Sequence, residues 1–303
     1  MPEGINIQEH VIYVGTAGWS YPDWEGIVYP RHKPKGFDPL EYLARFFKTI
    51  EINSTFYHPP SSRNSQNWVR RVAHNPEFKF TAKLNKKFTH EREDISPTDE
   101  KQFKTGIDPL HESGKLGCIL VQFPWSFKFT PENSQYLKKL LPVFKEYPLV
   151  IEVRHSSWDN ALVYKQLRQE SVGFCNIDQP RLRSQLKPGQ EATSDVGYIR
   201  LHGQNLENWF SEDAGRDERY NYLYSTKELG PWIQRILAVS SETKETYVIA
   251  NNHFQGKAAT NALQLISMLT EDKVDVPEDL RNTYPQLEEI AVGPSGPRQE
   301  TLF

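Results

Sequence analysis

Short apolar runs alternate along this chain with longer stretches whose apolar positions recur three and four residues apart. The first pattern reads as buried strand and the second as amphipathic helix. Strands are predicted near 11–17, 49–55, 78–84, 118–123, 149–154, 172–177, 196–201 and 246–251. Between them, helices are expected over 39–47, 61–72, 97–113, 131–144, 157–167, 220–239 and 257–269. Several carry start signals. Asp38-Pro39 and Thr130-Pro131 each pair a capping side chain with a first-turn proline, and Ser157 is read as a cap. Trp68, Val69 and Val72 are the inward anchors of the second helix, and Pro231 is a kink or a break in the sixth. The charged run 85–94 reads as a loop, and residues 270–303 as an irregular C-terminal extension.

The predicted strands show few outward polar positions, as strands covered on both faces do. Eight strands, most separated by helix-like segments in a regular strand-then-helix order, point to an α/β protein, a single (β/α)8 TIM-type barrel over 1–303. An open doubly wound sheet is the alternative. After the first strand, Gly15-Thr16-Ala17-Gly18 is too short for a dinucleotide fingerprint, and no GxxxxGK[ST] run is present.

The predicted strands end in polar residues. Glu51 and Asn53 close the second, Thr81 and Lys83 the third, and Gln122 the fourth. Glu152, Arg154 and His155 close the fifth, Asp178 follows the sixth, Arg200 and His202 close the seventh, and Asn251, Asn252 and His253 close the eighth. Residues two apart on a strand share a face. In a barrel all these groups gather at one mouth. Buried charges are costly unless paired or used, so repeated placement there implies one shared polar site.

Within that site Glu51, Glu152, Asp178 and His202 are the acid/base candidates. Lys83, Arg154 and Arg200 would hold negative charge, while Asn53, Gln122, Asn251 and His253 would orient polar groups. Trp19, Tyr57 and Trp158 would form walls, with His90 in a basic segment able to close over an anion. Blander readings stand beside these. Glu51 can be a structural ion-pair partner, Glu152 and Arg154 can pair to hold the barrel top, and His202 can be a core histidine.

Composition narrows the classes. Aromatic residues make up 12% of the 303 residues, so the core is aromatic-rich. A net charge of −3 argues against a broad basic face for long nucleic acid, yet allows a local anion site. Cys118 and Cys175 sit in apolar runs and are expected as buried free thiols. No basic segment followed by an apolar one opens the chain and no run is long enough for a bilayer, so a soluble, cytoplasmic protein is expected. There is no HExxH, calcium-loop or GxSxG motif. No cofactor is expected from motifs, although Glu51, Glu152, Asp178, His202 and His253 leave room for a divalent metal.

The blocks Gly15-Thr16-Ala17-Gly18-Trp19-Ser20-Tyr21, Glu51-Ile52-Asn53-Ser54-Thr55-Phe56-Tyr57, Gln122-Phe123-Pro124 and Glu152-Val153-Arg154-His155 carry a wider resemblance. So do Trp24, Tyr29-Pro30, Lys83, Thr89-His90, Trp158, Tyr198-Ile199-Arg200-Leu201-His202-Gly203 and Asn251-Asn252-His253. Together they resemble the YecE-like family, domain-of-unknown-function family 72. The matching blocks run from residue 11 to about 265. The resemblance implies a TIM-type barrel and no assigned activity. It also aligns Asp178 with a family aspartate, and Tyr224 with Glu228-Leu229 as groups that bridge helix to loop.

The expected function is acid/base hydrolysis of a small anionic or sugar-like, polyhydroxylated substrate at the barrel mouth. One alternative is a metal-assisted phosphoesterase or nuclease, which requires a tight carboxylate and histidine cluster. The other is a non-catalytic binding barrel, which requires every mouth charge to be paired and no open cavity.

Overall fold

In the computed structural model the eight apolar runs lie side by side in parallel, and the last returns to the first. The structure describes residues 5–7, 10–181, 183–206 and 216–293. The barrel strands are β2 (His10–Ala17), β3 (Thr49–Ile52), β4 (Lys79–Lys83), β5 (Leu116–Gln122), β6 (Leu149–Glu152), β7 (Gly173–Asp178), β8 (Val196–Leu201) and β9 (Glu245–Ala250). Each pairs with its sequence neighbour, and β2 pairs with β9 from Val11↔Glu245 to Thr16↔Ala250, which closes the sheet. A short antiparallel strand, β1 (Ile5–Ile7), adds to β2. The architecture is the closed (β/α)8 barrel; the open sheet is ruled out by the β2–β9 ladder.

Side chains fill the lumen rather than leaving a pore. Tyr13 and Tyr247 stack there with ring centroids 5.0 Å apart. β5 carries one extra residue opposite β4, where Phe80 pairs with Leu116 and Thr81 with Cys118. Gly117 is that residue. A Cβ on it would come within 2.3 Å of the Tyr247 ring, so only glycine lets the bulge and the lumen aromatic coexist. Cys118 and Cys175 are buried and unbridged, and burial pushes both thiols well up.

Helix starts follow local chemistry. Asp38, Ser61 and Thr130 accept from backbone N–H groups at their helix N-termini, and Ser96 and Ser225 form capping boxes with Asp99 and Glu228. Several boundaries differ from the sequence reading. The helix Pro131–Leu140 passes into a tighter 3-10 turn, Leu141–Phe144, because Pro142 cannot continue the hydrogen-bond ladder. Ser157 is no helix cap; it lies in the turn Ser156–Trp158, and Asn160 caps the helix Ala161–Gln169. Pro231 does not split its helix, which runs Thr226–Ser240. The expected loop 85–94 holds a π-helical turn, Lys87–Glu91.

The C-terminal extension is described to residue 293. It forms the helix Glu278–Thr283 and a 3-10 turn, and Val274 bridges to Ala291. Leu280 and Leu287 are fully buried. Asp279 accepts from the backbone N–H of Arg31, and the Tyr284 hydroxyl donates to the Gln255 carbonyl at 2.6 Å. The extension therefore packs on the loops that follow β2 and β9, at the mouth. Its final ten residues, 294–303, lie outside the described residues, as does 207–215 of the loop after β8. Among the described residues no helix is long and apolar enough to cross a membrane.

Candidate functional site

Alternation on β8 sends Tyr198, Arg200 and then His202 to the lumen side, and the whole site is built around the middle one. Arg200 is fully buried. Its Nη2 donates to Glu51 Oε1 at 2.8 Å and its Nη1 to Glu152 Oε2 at 2.6 Å, so one guanidinium spans the carboxylates of β3 and β6. The Tyr198 hydroxyl donates to the other Glu51 oxygen at 2.9 Å, and Thr81 meets the same hydroxyl at 2.7 Å. Since the tyrosine proton points at the carboxylate, Thr81 is the donor in that last bond. Arg154 Nε reaches Glu152 Oε1 at 3.1 Å, and His202 Nε2 lies 3.4 Å from the same atom. Asn251 Nδ2 donates to His202 Nδ1 at 2.9 Å, which leaves the ring proton on Nε2, facing Glu152.

The electrostatics follow from this packing. Burial alone would push Glu152 up, but Arg200, His202 and Arg154 together hold it well below the usual carboxylate range. Burial would lower Arg200, and Glu152 with Glu51 more than reverses that. His202 falls to about 3, first from burial and then from Arg154 and Arg200, against the opposing pull of Glu152. It is a neutral ring across the physiological range.

Above this buried layer opens a cavity of about 550 Å³. Lys83, Arg154, Asn53, Gln122, Asn251 and His253 line it, with Trp19, Tyr57 and His90. The strands deliver the first six from their C-terminal ends. Gly18 turns the chain away at the end of β2 with φ +83°, and a Cβ there would sit 2.8 Å from the Tyr21 hydroxyl. The π-helical turn brings in His90, whose ring is edge-on to Phe56 at 4.8 Å. Burial, then Arg154 and Lys83, lower His90 to about 4. Trp19 is held edge-on by Trp68, centroids 5.7 Å apart, and Tyr21 stacks on His253 at 4.5 Å.

Two groups on this wall have unmet bonding capacity. Lys83 makes no ion pair or hydrogen bond through Nζ among the described residues; its Nζ lies 5.6 Å from the Phe56 ring centre. Burial first, then Arg200, lower it to about 8, against the pull of Glu51 and Glu152. Asn53 Oδ1 is buried and accepts no hydrogen bond.

Six expected site residues stand elsewhere. Glu51, Glu152 and Arg200 lie beneath the cavity and are committed to one another, so Arg200 offers its cation to glutamates and not to a ligand. His202 is in the same layer, and its low pKa removes the expected proton shuttle near neutral pH. Asp178 is away from the cavity lining. It accepts from the Tyr224 hydroxyl at 2.5 Å and from Gln204 Nε2 at 2.7 Å, while the Gly203 N–H donates to the same Tyr224 hydroxyl at 2.7 Å. That chain ties β7, the loop after β8 and the next helix, and burial raises Asp178. Trp158 is a core residue, stacked on Phe127 at 5.2 Å with Nε1 donating to the Phe127 carbonyl at 2.6 Å. Among the described residues, no group of three or more His, Cys, Asp and Glu side chains is placed to hold a metal.

Sequence reasoning passed over Tyr220, which lines the cavity and packs against His253 with centroids 5.4 Å apart. It follows a long polar loop, with no strand-end signal to mark it.

Comparison with known proteins places this geometry in a family. Residues 13–286 match the family described as "Protein of unknown function DUF72". The chain belongs to the DUF72 family. The match extends past residue 265 and takes in the extension that packs on the mouth. The chain is 30% identical over 275 residues to the UPF0759 protein YunF of Bacillus subtilis, covering 86% of this chain and 95% of that one. It is 25% identical to the UPF0759 protein YecE of Escherichia coli K12, covering 97% and 100%. A crystal structure of a DUF72 protein from Thermotoga maritima aligns with TM-score 0.75 at 39% identity, covering 86% and 100%. One from Enterococcus faecalis aligns with TM-score 0.75 at 28% identity, covering 88% and 98%.

Proposed function

We propose that the DUF72 barrel mouth binds and turns over a small anionic, hydroxyl-bearing metabolite. The observation that carries this is the pairing pattern around Arg200. Glu51 and Glu152 carry two formal negative charges, and Arg200, Arg154 and Lys83 three positive ones. The set is left with one formal positive charge, and its exposed side is the cavity wall with Lys83 and Arg154. Asn53, on the cavity wall, has an Oδ1 without a protein donor, an acceptor suited to a ligand hydroxyl. Trp19, Phe56 and Tyr220 supply apolar flanks, and 550 Å³ suits a ligand of metabolite size.

This reading favours an occupied pocket over a purely structural barrel, which would leave neither a cavity nor an unpaired Lys83. It moves the chemistry off the carboxylates. Glu152, held ionised by three neighbours, is a poor general acid, so it does not supply the proton that paired-carboxylate hydrolysis needs. The metal-assisted alternative finds no ligand group among the described residues.

The test is calorimetric titration of the full chain with inorganic phosphate and a phosphorylated sugar. Lys83→Met and Arg154→Met should each weaken binding about ten-fold or more, the usual worth of a hydrogen bond to a charged group. Equal binding by wild type and both folded variants would sink the proposal.

A further inference from the structure

The cavity contains one amine in unusual surroundings. Lys83 ends β4 on the cavity wall, and the two carboxylates nearest to it in charge, Glu51 and Glu152, are both taken by Arg200. No carboxylate contacts Nζ to fix it as an ammonium. The charged groups facing it are Arg200 from β8, Arg154 beyond β6, Glu51 from β3 and Glu152 from β6, with His90 from the π-helical turn. The Phe56 ring closes one side at 5.6 Å. A desolvated lysine beside other cations is the arrangement that supplies a neutral, nucleophilic amine near neutral pH. The protein's two thiols are sealed within β5 and β7, and neither lines the cavity.

We propose that Lys83 is the reacting group of the pocket and forms an imine with a short anionic aldehyde or ketone whose charged end rests on Arg154. The inference builds on the anion-binding reading above. The neutral Nζ lone pair attacks the carbonyl carbon, and a proton from nitrogen passes to the carbonyl oxygen to give a carbinolamine. The second nitrogen proton passes to that hydroxyl, the C–O bond breaks, water leaves and C=N forms. Amine plus carbonyl thus gives imine plus water, with no further reactant. Protonated, the imine draws electrons from the neighbouring carbon, so the reaction class is reversible bond making or breaking beside a carbonyl. Burial and the neighbouring arginines, which lower the amine to about 8, keep it available for attack.

The test uses pyridoxal 5′-phosphate as an anionic aldehyde and glyoxylate as a carboxylate counterpart. The full chain is incubated with each, reduced with borohydride and mapped by peptide mass. Lys83 is expected to label more than about ten-fold faster than exposed Lys138 or Lys227, because more of it is neutral. Labelling should rise through pH 8 and slow in the presence of inorganic phosphate. The two probes separate a phosphate-bearing from a carboxylate-bearing substrate. Lys83→Arg should keep phosphate binding in calorimetry and lose the site-specific adduct. Labelling of Lys83 no faster than Lys138 overturns the imine, even where phosphate binds and Arg154→Met abolishes that binding. Rapid labelling by pyridoxal lacking the phosphate, with no phosphate binding, would keep the imine and overturn the anion site.

Discussion

Arg200 and Glu152 meet across the top of the barrel lumen, Nη1 2.6 Å from Oε2, both fully buried. A pair so placed is stabilised by its geometry and expensive to break from one side.

Arg200→Met is therefore expected to destabilise the fold by about 3–5 kcal/mol, since it strips buried Glu51 of its counter-charge and leaves Glu152 with Arg154 alone. Urea denaturation reads this as a lower midpoint. Arg200→Lys should recover little, because one ammonium cannot donate in two fixed directions to both carboxylates. A midpoint within error of wild type for Arg200→Met would show that the layer is not held by this residue.

Lys83 should behave in the opposite way. Its pKa is lowered in the folded state from 10.5 to about 8, so between those values the unfolded chain holds the extra proton. Stability from this group then rises with pH across that window, and below pH 8 the full penalty applies. Lys83→Met is expected to be more stable than wild type at pH 7, with the gap closing between pH 8 and 10.5. Denaturation midpoints at pH 7, 9 and 10 check the order. A less stable variant at pH 7 would mean that the ammonium is favoured there.

Acid should weaken the protein through two neutral histidines. His202 and His90 hold pKa values of about 3 and about 4 against an unfolded 6.5. As pH falls below 6.5 the unfolded chain takes up protons first; buried His202 forfeits about 1.4 kcal/mol per pH unit until its own pKa is reached, and the half-buried, solvent-screened His90 less. His202→Gln should lower the neutral-pH midpoint and flatten the slope between pH 6.5 and 4. An unchanged slope would show that His202 is charged in the folded state.

Tyr224→Phe removes the hydroxyl that joins Asp178 to the Gly203 N–H. Two buried polar groups lose a partner, at a cost of about 1–3 kcal/mol each. Hydrogen exchange should quicken at the Gly203 amide more than at amides within β8, and equal protection of that amide in both proteins would refute the bridge.

The barrel was legible because period and order are local properties. Eight short apolar runs separated by helical spacing leave few topologies, and each capping serine, threonine or aspartate sits beside its helix in the chain. Residues that line the mouth were legible for the same reason: Lys83, Arg154, Asn53 and Gln122 are strand-end positions. What alternation cannot state is depth. Glu51 and Asn53 share a face, as do Glu152 and Arg154, yet one rung separates a committed ion from a cavity wall. That rung depends on strand stagger and on the Gly117 bulge, which only pairing across the sheet defines. Trp158 failed for a related reason, since its short turn points the indole into the core. Tyr220 lacked any periodic signal.

The tail from Val274 to Ala291 has a consequence for how the molecule comes apart. A closed sheet has one join made by its first and last strands, and here that join is β2 with β9. Asp279 grips the loop above one, Tyr284 the loop above the other, and Leu280 packs beside Gly256 between them. The tail is thus a fastener laid over the join. A nick between residues 271 and 277 would release it first, letting the rim around Tyr21 and His253 spread while the ladders below still hold.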